Sequence, residues 1–406
     1  MRISYKLITF LLLFVARGVC AQGTLDSFSF LGNSFDGDWN KGSFKIEGNA
    51  FVGSNVLNTK MYSDVLFRSS FTPEAKQNFL DSKQTKTNLY TERGGYLEYK
   101  LDSTKSIYAR YSSVNGFSSN KKFSEMLFFG NAAFEGEKVS SINTRYIRTA
   151  SFSGGIAMNT LKNEKWQAKT AFGVNFVTDY RAFNAKDMSL FTAEGGVYID
   201  AVVSDLSITE NSSGLRGLGL DFNQEIRYTI SDQNNVSFKV TGLNINYLFN
   251  QTAIEIDTSL RFSGVTYDFL NDDSTSLTEY IDSSFNSVID NGRKSKKWMT
   301  LPFAIYLSWD KRLSEKTTLV STVKAIDLGL YGITGTIGVK HDFGKRLRVL
   351  STLGYGTFTG ILWQESAEYR AKNGLHVYVS VAGIDAIAIP KLSTNYGLRF
   401  GLAKQF

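Results

Sequence analysis

The chain has 406 residues, a formal net charge of +7 and a pI near 9.1, with 35 Gly, 31 Phe and 20 Tyr but only 3 Pro, 2 His and 1 Cys. So few histidines and cysteines form no cluster with metal-ligand spacing, and no serine sits in a Gly-x-Ser-x-Gly elbow, so the chain reads as a non-enzyme without cofactor or metal. The basic residues are scattered, with Arg293 to Lys297 the densest group and read as a solvated loop, so no nucleic-acid partner is expected despite the high pI.

The first 21 residues read as a secretory signal. Arg2 and Lys6 form a short basic region, Leu7 to Val15 is apolar apart from Thr9, and Val19, Cys20 and Ala21 supply a small-residue cleavage site. Arg17, Gly18 and Val19 make a poor lipobox, so Cys20 is not expected to be acylated. Cleavage leaves residues 22–406 as one domain without cysteine, which excludes disulfide staples. Losing Arg2, Lys6 and Arg17 lowers the +7 to +4. No later stretch reaches eighteen consecutive apolar residues, so a helical membrane span is ruled out, and a membrane protein of this kind must be a closed β-barrel.

Strand patterns follow through most of the chain. After Phe44 to Val52, Tyr96 to Leu101 and Ser106 to Ser112 flank a tight turn at Asp102 to Lys105. Arg145 to Met158 and Trp166 to Tyr180 flank Leu161 to Lys165. Val197 to Val203 alternates, and Leu218 to Ile230 sets Phe222, Ile226, Tyr228 and Ile230 against Asp221, Asn223, Glu225, Arg227 and Thr229. Its partner runs from Val236 to Tyr247, with a bulge expected at Gly242. Ile254 to Phe269, Leu301 to Trp309, Thr318 to Leu328, Gly332 to Val339, Arg346 to Phe358 and Leu375 to Ile384 continue the series. Turn chemistry at Asp310 to Glu315, Asp342 to Lys345 and Asn373-Gly374 separates them. The expected architecture is an all-β, transmembrane antiparallel barrel of about fourteen strands, with short and long connections alternating.

Three segments read as helices in loops or lumen. Thr72 is an N-cap before Pro73, opening a helix to about Ser82. Asn120 to Phe129 places Phe123, Met126 and Leu127 on one stripe and ends at Gly130. Ser276 to Glu279 is a capping box for a helix reaching Asn291. The acidic run Asn271 to Ser274 reads as a solvated turn.

The last segment alternates with a period of two. Tyr396, Leu398, Phe400, Leu402 and Phe406 form one apolar face, broken by Lys404, opposite Gly397, Arg399, Gly401, Ala403 and Gln405. A strand ending on an aromatic residue resembles the closing strand of bacterial outer-membrane barrels, which implies that these five apolar residues are an assembly signal read by the barrel assembly machinery. By the same alternation Glu98, Arg110, Arg145, Lys169, Asp200, Glu225, Arg227, Lys239, Arg261 and Arg399 are expected to face the lumen, because charges facing lipid are costly. Trp166, Trp298, Trp309 and Trp363, with Tyr180, Tyr228, Tyr247, Tyr267 and Tyr355, fall near strand ends and suit interfacial girdles in contact with outer-membrane lipid.

On Leu127-Phe-Phe-Gly-Asn-Ala-Ala-Phe-Glu-Gly136, the Gly217-Leu-Gly-Leu-Asp221 strand start, the strand at Pro302 and the closing Asn395-Tyr-Gly-Leu-Arg-Phe400, the chain resembles uncharacterised outer-membrane barrels of Bacteroidota. It is distantly similar to the PorP/SprF-type proteins of type IX secretion and gliding. The resemblance implies a structural or partner-binding component of an envelope assembly, with other envelope proteins as partners. A similar strand count and an internal plug suit FadL-type barrels as well, which implies a channel or transporter for small or hydrophobic solutes. A third reading, a rim enzyme, would need His341 or His376.

Overall fold

Between Asn395 and Lys404, exposed Leu398, Phe400 and Leu402 alternate with buried Gly397, Arg399, Gly401 and Ala403. A strand projects successive side chains to opposite faces, so one face here meets an apolar surround and the other a crowded interior. The same division repeats in strand after strand of the computed structural model, which describes residues 42–58, 61, 72–211, 214–262, 293–327, 331–385 and 393–404. Exposed Leu97, Ile107, Phe152, Ile156, Phe172, Leu220, Leu307, Ile337, Leu353 and Val379 belong to one outward apolar belt. Apolar exposure on this scale is foreign to a water-soluble monomer and fits a surface solvated by lipid.

The strands are β1 (Phe44–Ser54), β2 (Lys86–Lys100), β3 (Lys105–Asn120), β4 (Lys138–Lys162), β5 (Trp166–Thr192), β6 (Ile199–Asn211), β7 (Gly217–Ser231) and β8 (Asn234–Phe262). They continue as β9 (Arg293–Met299), β10 (Phe303–Arg312), β11 (Thr317–Asp327), β12 (Tyr331–Phe343), β13 (Leu347–Gly356), β14 (Gly360–Arg370), β15 (Leu375–Ala382) and β16 (Asn395–Lys404). Each antiparallel neighbour follows the last, and the first and last strands pair from Phe44↔Lys404 to Gly53↔Asn395. No edge is left at that seam.

β6 and β9 do not add to the ring. The first half of β5 pairs with β7 (Trp166↔Tyr228 to Val177↔Gly217) and its second half with β6 (Arg181↔Glu210 to Thr192↔Ile199). β8 divides in the same way, pairing with β7 up to Leu248 and with β6 from Gln251. β6 and β7 are therefore two segments of one path, interrupted between them. β9 and β10 share β8 likewise, and their interruption contains Pro302, which has no N–H for the ladder. The result is a closed barrel of fourteen strands, with β4, β5, β6, β8 and β9 rising beyond the ring on one side. Arg293 to Lys297, expected as a loop, lies in β9 and pairs with β8. β14, absent from the expected set, supplies a full ring strand. Ile254 begins the second half of β8 rather than a separate strand.

Connections at the end holding Phe44 and Lys404 are all short, and those at the other end are mostly long. Asp102 organises one short turn: its carboxylate accepts from the Thr104 hydroxyl (2.8 Å), the Thr104 amide (2.7 Å) and the Lys105 amide (2.8 Å). Those bonds, the Thr104 hydroxyl first, hold its carboxyl below the usual range. Gly344 and Gly374 take positive φ (69° and 76°) in two further turns. Trp166 packs tilted against Tyr228 (4.5 Å) near the short-turn end, and Trp298 lies against Tyr247 (5.2 Å) towards the other, as two aromatic levels require. Tyr180 departs from that expectation, being buried with Val177, Leu248 and Leu301; Tyr267 lies outside the described residues.

Two helices sit in the long connections. α1 (Pro73–Leu80) has Thr72 as its N-cap, whose Oγ1 accepts from the Ala75 amide at 3.3 Å. α2 (Lys121–Phe129) is capped by Asn120 and stops at Gly130, with Phe123 and Met126 buried against Val139 of β4. The helix expected over 276–291, the acidic run before it, residues 1–21 and Phe406 lie outside the described residues.

The belt predicts its own test. Leu353→Arg places a charge at mid-strand among Ile337 and Trp363 neighbours and should cost about 2–4 kcal/mol in reversible unfolding from phospholipid vesicles. A loss within ~0.5 kcal/mol, as for a solvated surface position, would contradict a lipid-facing belt.

Candidate functional site

Inside the barrel, a cavity of about 230 Å³ extends from the level of Ser43 and Lys100 at the short-turn end to Tyr90, Val114 and Ile326. Its lining carries seven basic and four acidic side chains, so it is a polar chamber rather than a greasy one. Its volume falls below the roughly 300–1,000 Å³ of pockets for drug-sized ligands, which restricts it to small occupants.

Most of those charges are compensated inside the chamber. Glu47 on β1 is buried and held by Arg399 of β16, and Lys45 approaches it at 2.9 Å, so this cluster also ties the barrel seam. Glu98 on β2 accepts from Lys169 (2.6 Å), the Ser106 hydroxyl (2.5 Å) and the Tyr96 hydroxyl (2.9 Å). Glu92 accepts from the Tyr90 hydroxyl and lies 3.5 Å from Lys324. An isolated charge in so confined a space would be expensive, and each of these carboxylates has a cation and a hydroxyl or second cation beside it.

One bridge depends on missing side chains. Asp221 on β7 is 1% exposed, yet it accepts from Arg110 (2.6 Å) and the Tyr108 hydroxyl (3.0 Å), both on β3, across β4 and β5. Those intervening strands present Ala157 and Ala171 beneath Tyr108, and Gly154, Gly155 and Gly173 beside them. A Cβ on Gly173 would stand 2.5 Å from the Tyr108 hydroxyl and 2.5 Å from the Gly154 carbonyl oxygen. The small residues therefore let the wall turn sharply enough for β3 to reach β7. Nearby, Gly242 adopts φ 75° at a bulge in β8, and its amide donates to Asn223 Oδ1 at 2.8 Å, next to the Arg110 contact with the same atom.

Above the chamber the interior becomes apolar. Phe51, Val52, Val56, Leu57, Met61, Ala75, Phe79, Tyr90, Val114, Phe358, Leu362 and Ala382 form one buried cluster at the long-loop end. Residues 55–58 turn inward after β1 because Ser54 Oγ accepts from the amides of Val56 (3.2 Å) and Leu57 (3.1 Å). α1 adds Phe79, wedged edge-on against Phe128 (5.7 Å) and Phe129 (5.4 Å) of α2. Lys121 of α2 donates to the Leu80 and Ser82 carbonyls (2.8 and 2.5 Å), pinning the end of α1. The connection after β1 thus stoppers the chamber from the long-loop side.

Of the ten charges expected in the lumen, Glu98, Arg110, Lys169, Glu225, Lys239 and Arg399 line the chamber. Arg227 sits nearer the short turns, across the ladders from Gln167 and Ser237. Arg145 is exposed towards the long-loop end and donates to Asn184 Oδ1 at 3.2 Å. Asp200 and Arg261 pair with each other at 2.6 Å on the strands that rise beyond the ring, exposed to solvent and far along the chain path from the chamber. Alternation alone assigns a face and not a height, which is why these two were expected in the lumen.

Sequence reading missed Glu47, Glu92, Asp221 and Lys324. Asp221 shares the face of Glu225 in the same alternating run, a signal that was available. A further interior network was also missed: Glu368, 2% exposed, is held by Arg370 (2.9 Å), His376 (3.1 Å) and Arg348 (3.7 Å), with Arg348 also on Asp342 at 2.7 Å. His376 Nδ1 is thereby occupied by the Glu368 carboxylate. His341 meets the Thr317 hydroxyl at 2.9 Å and the Phe343 ring at 4.6 Å. Among the described residues no group of three His, Cys, Asp or Glu could hold a metal.

Among the described residues the outward belt carries a mid-strand carboxylate, Glu365 of β14, which accepts from Ser351 (2.5 Å) and the Trp363 indole (2.7 Å). Thr160, Thr170 and Gln224 make a second polar group in the wall, linked at 3.1 and 2.8 Å. Local donors satisfy both.

No family model matches the chain, and no curated protein matches it in sequence. Its outline is similar to that of the Ralstonia pickettii toluene transporter TbuX, at 6% identity over 90% of each chain with a TM-score of 0.44. It is similar too to the P. putida toluene transporter TodX, at 9% identity over 93% of this chain and 92% of that one, TM-score 0.42. A Pseudomonas aeruginosa FadL homologue is similar at 9% identity over 89% of each chain, TM-score 0.43.

The bridge between β3 and β7 can be tested directly. A double-mutant cycle of Tyr108→Phe and Asp221→Asn should show a coupling of about 0.5–3 kcal/mol in unfolding from vesicles. Gly173→Ala should displace the Tyr108 hydroxyl and reduce that coupling towards zero. An unchanged coupling in the Gly173→Ala background would refute the role assigned to the small-residue corner.

Proposed function

We propose that the protein is an outer-membrane channel for small polar solutes, with the chamber as its solute compartment and the apolar cluster above it as its closure. The observation that carries this reading is the chamber itself. A barrel serving only as a wall fills its interior with side chains, whereas here a charged cavity persists towards the short-turn end and is stoppered by the apolar cluster. Barrels of this kind carry short turns on the periplasmic side and longer loops outside, which supports assigning the short turns to the periplasm and the stopper to the cell exterior. The polar lining favours a hydrated solute over a hydrophobic one.

Liposome swelling and planar-bilayer conductance test the reading. The intact chain should give a low but measurable rate over protein-free vesicles. Phe79→Ser or Phe358→Ser, each loosening the stopper, should raise it several-fold without loss of the heat-modifiable folded band on gels. Silence in both assays for all three proteins would remove the channel reading.

A second reading rests on a different observation. The five strands that rise beyond the ring on one side give the outer face an asymmetric ledge, a form suited to seating another envelope protein, as the PorP/SprF-type resemblance implies. Shortening the β8–β9 hairpin should then abolish recovery of a cross-linked partner from whole cells while leaving conductance intact.

A further inference from the structure

One ladder of register runs around the chamber wall from strand to strand. Lys169 on β5 faces Glu225 on β7, Glu225 faces Lys239 on β8, Lys239 faces Tyr306 on β10, and Tyr306 faces Lys324 on β11. All five sit on the inner face and line the cavity. Three of the five are lysines and one is a glutamate, so the ladder itself carries an excess of cations.

The lysines are not equivalent. Lys169 is engaged by Glu98 at 2.6 Å, and Lys324 lies 3.5 Å from Glu92. Lys239 stands directly across from Glu225, yet among the described residues no carboxylate lies within 4 Å of its ammonium. Its contact is with the ring of Tyr306, 5.6 Å from the centroid, and Lys324 lies 5.4 Å from the same centroid. Tyr306 is 2% exposed and fixed in place. A quadrupole can orient an ammonium but cannot neutralise it, so the charge of Lys239 is offered to whatever occupies the cavity. Rings and clusters of Lys or Arg are how pores favour anions, because a confined, low-dielectric passage amplifies each fixed charge.

We propose that Lys239, Tyr306 and Lys324 form an anion-binding station, so that the solutes admitted to the chamber are small anions bearing a carboxylate or phosphate group. This rests on the channel reading for its transport meaning but not for the binding itself. Lys239 supplies the principal contact, Lys324 a second cation already tempered by Glu92, and Tyr306 the rigid surface that keeps both ammoniums pointed inward. The cavity volume restricts the occupant to a small ion, and elsewhere in the lining Arg399 and Arg110 are engaged by Glu47 and Asp221.

Two measurements on the folded full chain test it. In planar bilayers under a potassium chloride gradient, the reversal potential should report chloride preferred over potassium. Lys239→Glu should move it towards potassium, and Lys239→Gln should bring it between the two. In detergent micelles without any bilayer, inorganic phosphate should raise the thermal midpoint of the wild-type chain and leave that of Lys239→Gln unchanged, while a neutral solute, glycerol, should not discriminate between them. Potassium preference in the wild type, or a preference unmoved by Lys239→Glu, overturns the proposal. A phosphate shift lost in Lys239→Gln but without any conductance would sustain the station and overturn the channel. Absence of both signals overturns the two together.

Discussion

Hydrocarbon has no group that can hydrogen-bond an amide, and that single deficiency dictates the architecture. Every N–H and C=O at membrane depth must find its partner within the chain, so the strand opening at Phe44 has to meet the one ending at Lys404, and β8 has to meet β10 once the loop between them is spent. Closure then fixes the alternation, because a closed wall has one dry side and one confined side. The seam is reinforced from within: Arg399 of the last strand reaches Glu47 of the first, joining by charge what the ladder joins by backbone.

The confined side shows how a polar interior is made tolerable without being filled. Towards the long loops it is packed with aromatic and aliphatic side chains from the strands, from the connection after β1 and from α1. Below this packing, carboxylates are surrounded by cations and hydroxyls, as with Glu98 among Lys169, Ser106 and Tyr96. The transition occurs at Tyr90, whose ring belongs to the apolar cluster while its hydroxyl serves Glu92. A single residue on β2 therefore terminates one regime and begins the other. Across the barrel, the Gly173 corner achieves by omission what other strands achieve by bulk.

Strand alternation was readable wherever the outward face was uniformly apolar, as in Tyr396 to Leu402, and turns announced themselves through Asp102 and Asn373-Gly374. The cap at Thr72 and the glycine stop at Gly130 were legible because a capped start and a glycine stop are local events. β14 escaped because its outward set, Ile361, Trp363, Glu365, Ala367 and Tyr369, contains a carboxylate that only Ser351 and Trp363 make acceptable, and those donors become visible only in three dimensions. The expected strand number agreed with the ring for partly compensating reasons: β14 was missing, while the segments at Val197 and Ile254 were counted as ring strands although they lie beyond it. Height, unlike face, is not encoded by a period of two. Asp200 and Arg261 have the alternation of lumen residues and sit in the open, and the union of Tyr108 with Asp221 depends on curvature that no spacing in the sequence expresses.

The interrupted path of β6 and β7 has an architectural consequence. Because β7 alone occupies the place between β5 and β8 at membrane depth, the stagger and circumference of the cylinder are settled before β6 is considered. The superstructure above can lengthen, shorten or be exchanged while the bilayer-embedded tube keeps its dimensions. Such a division gives the molecule a fixed chassis and a superstructure whose length is decoupled from the tube that carries it.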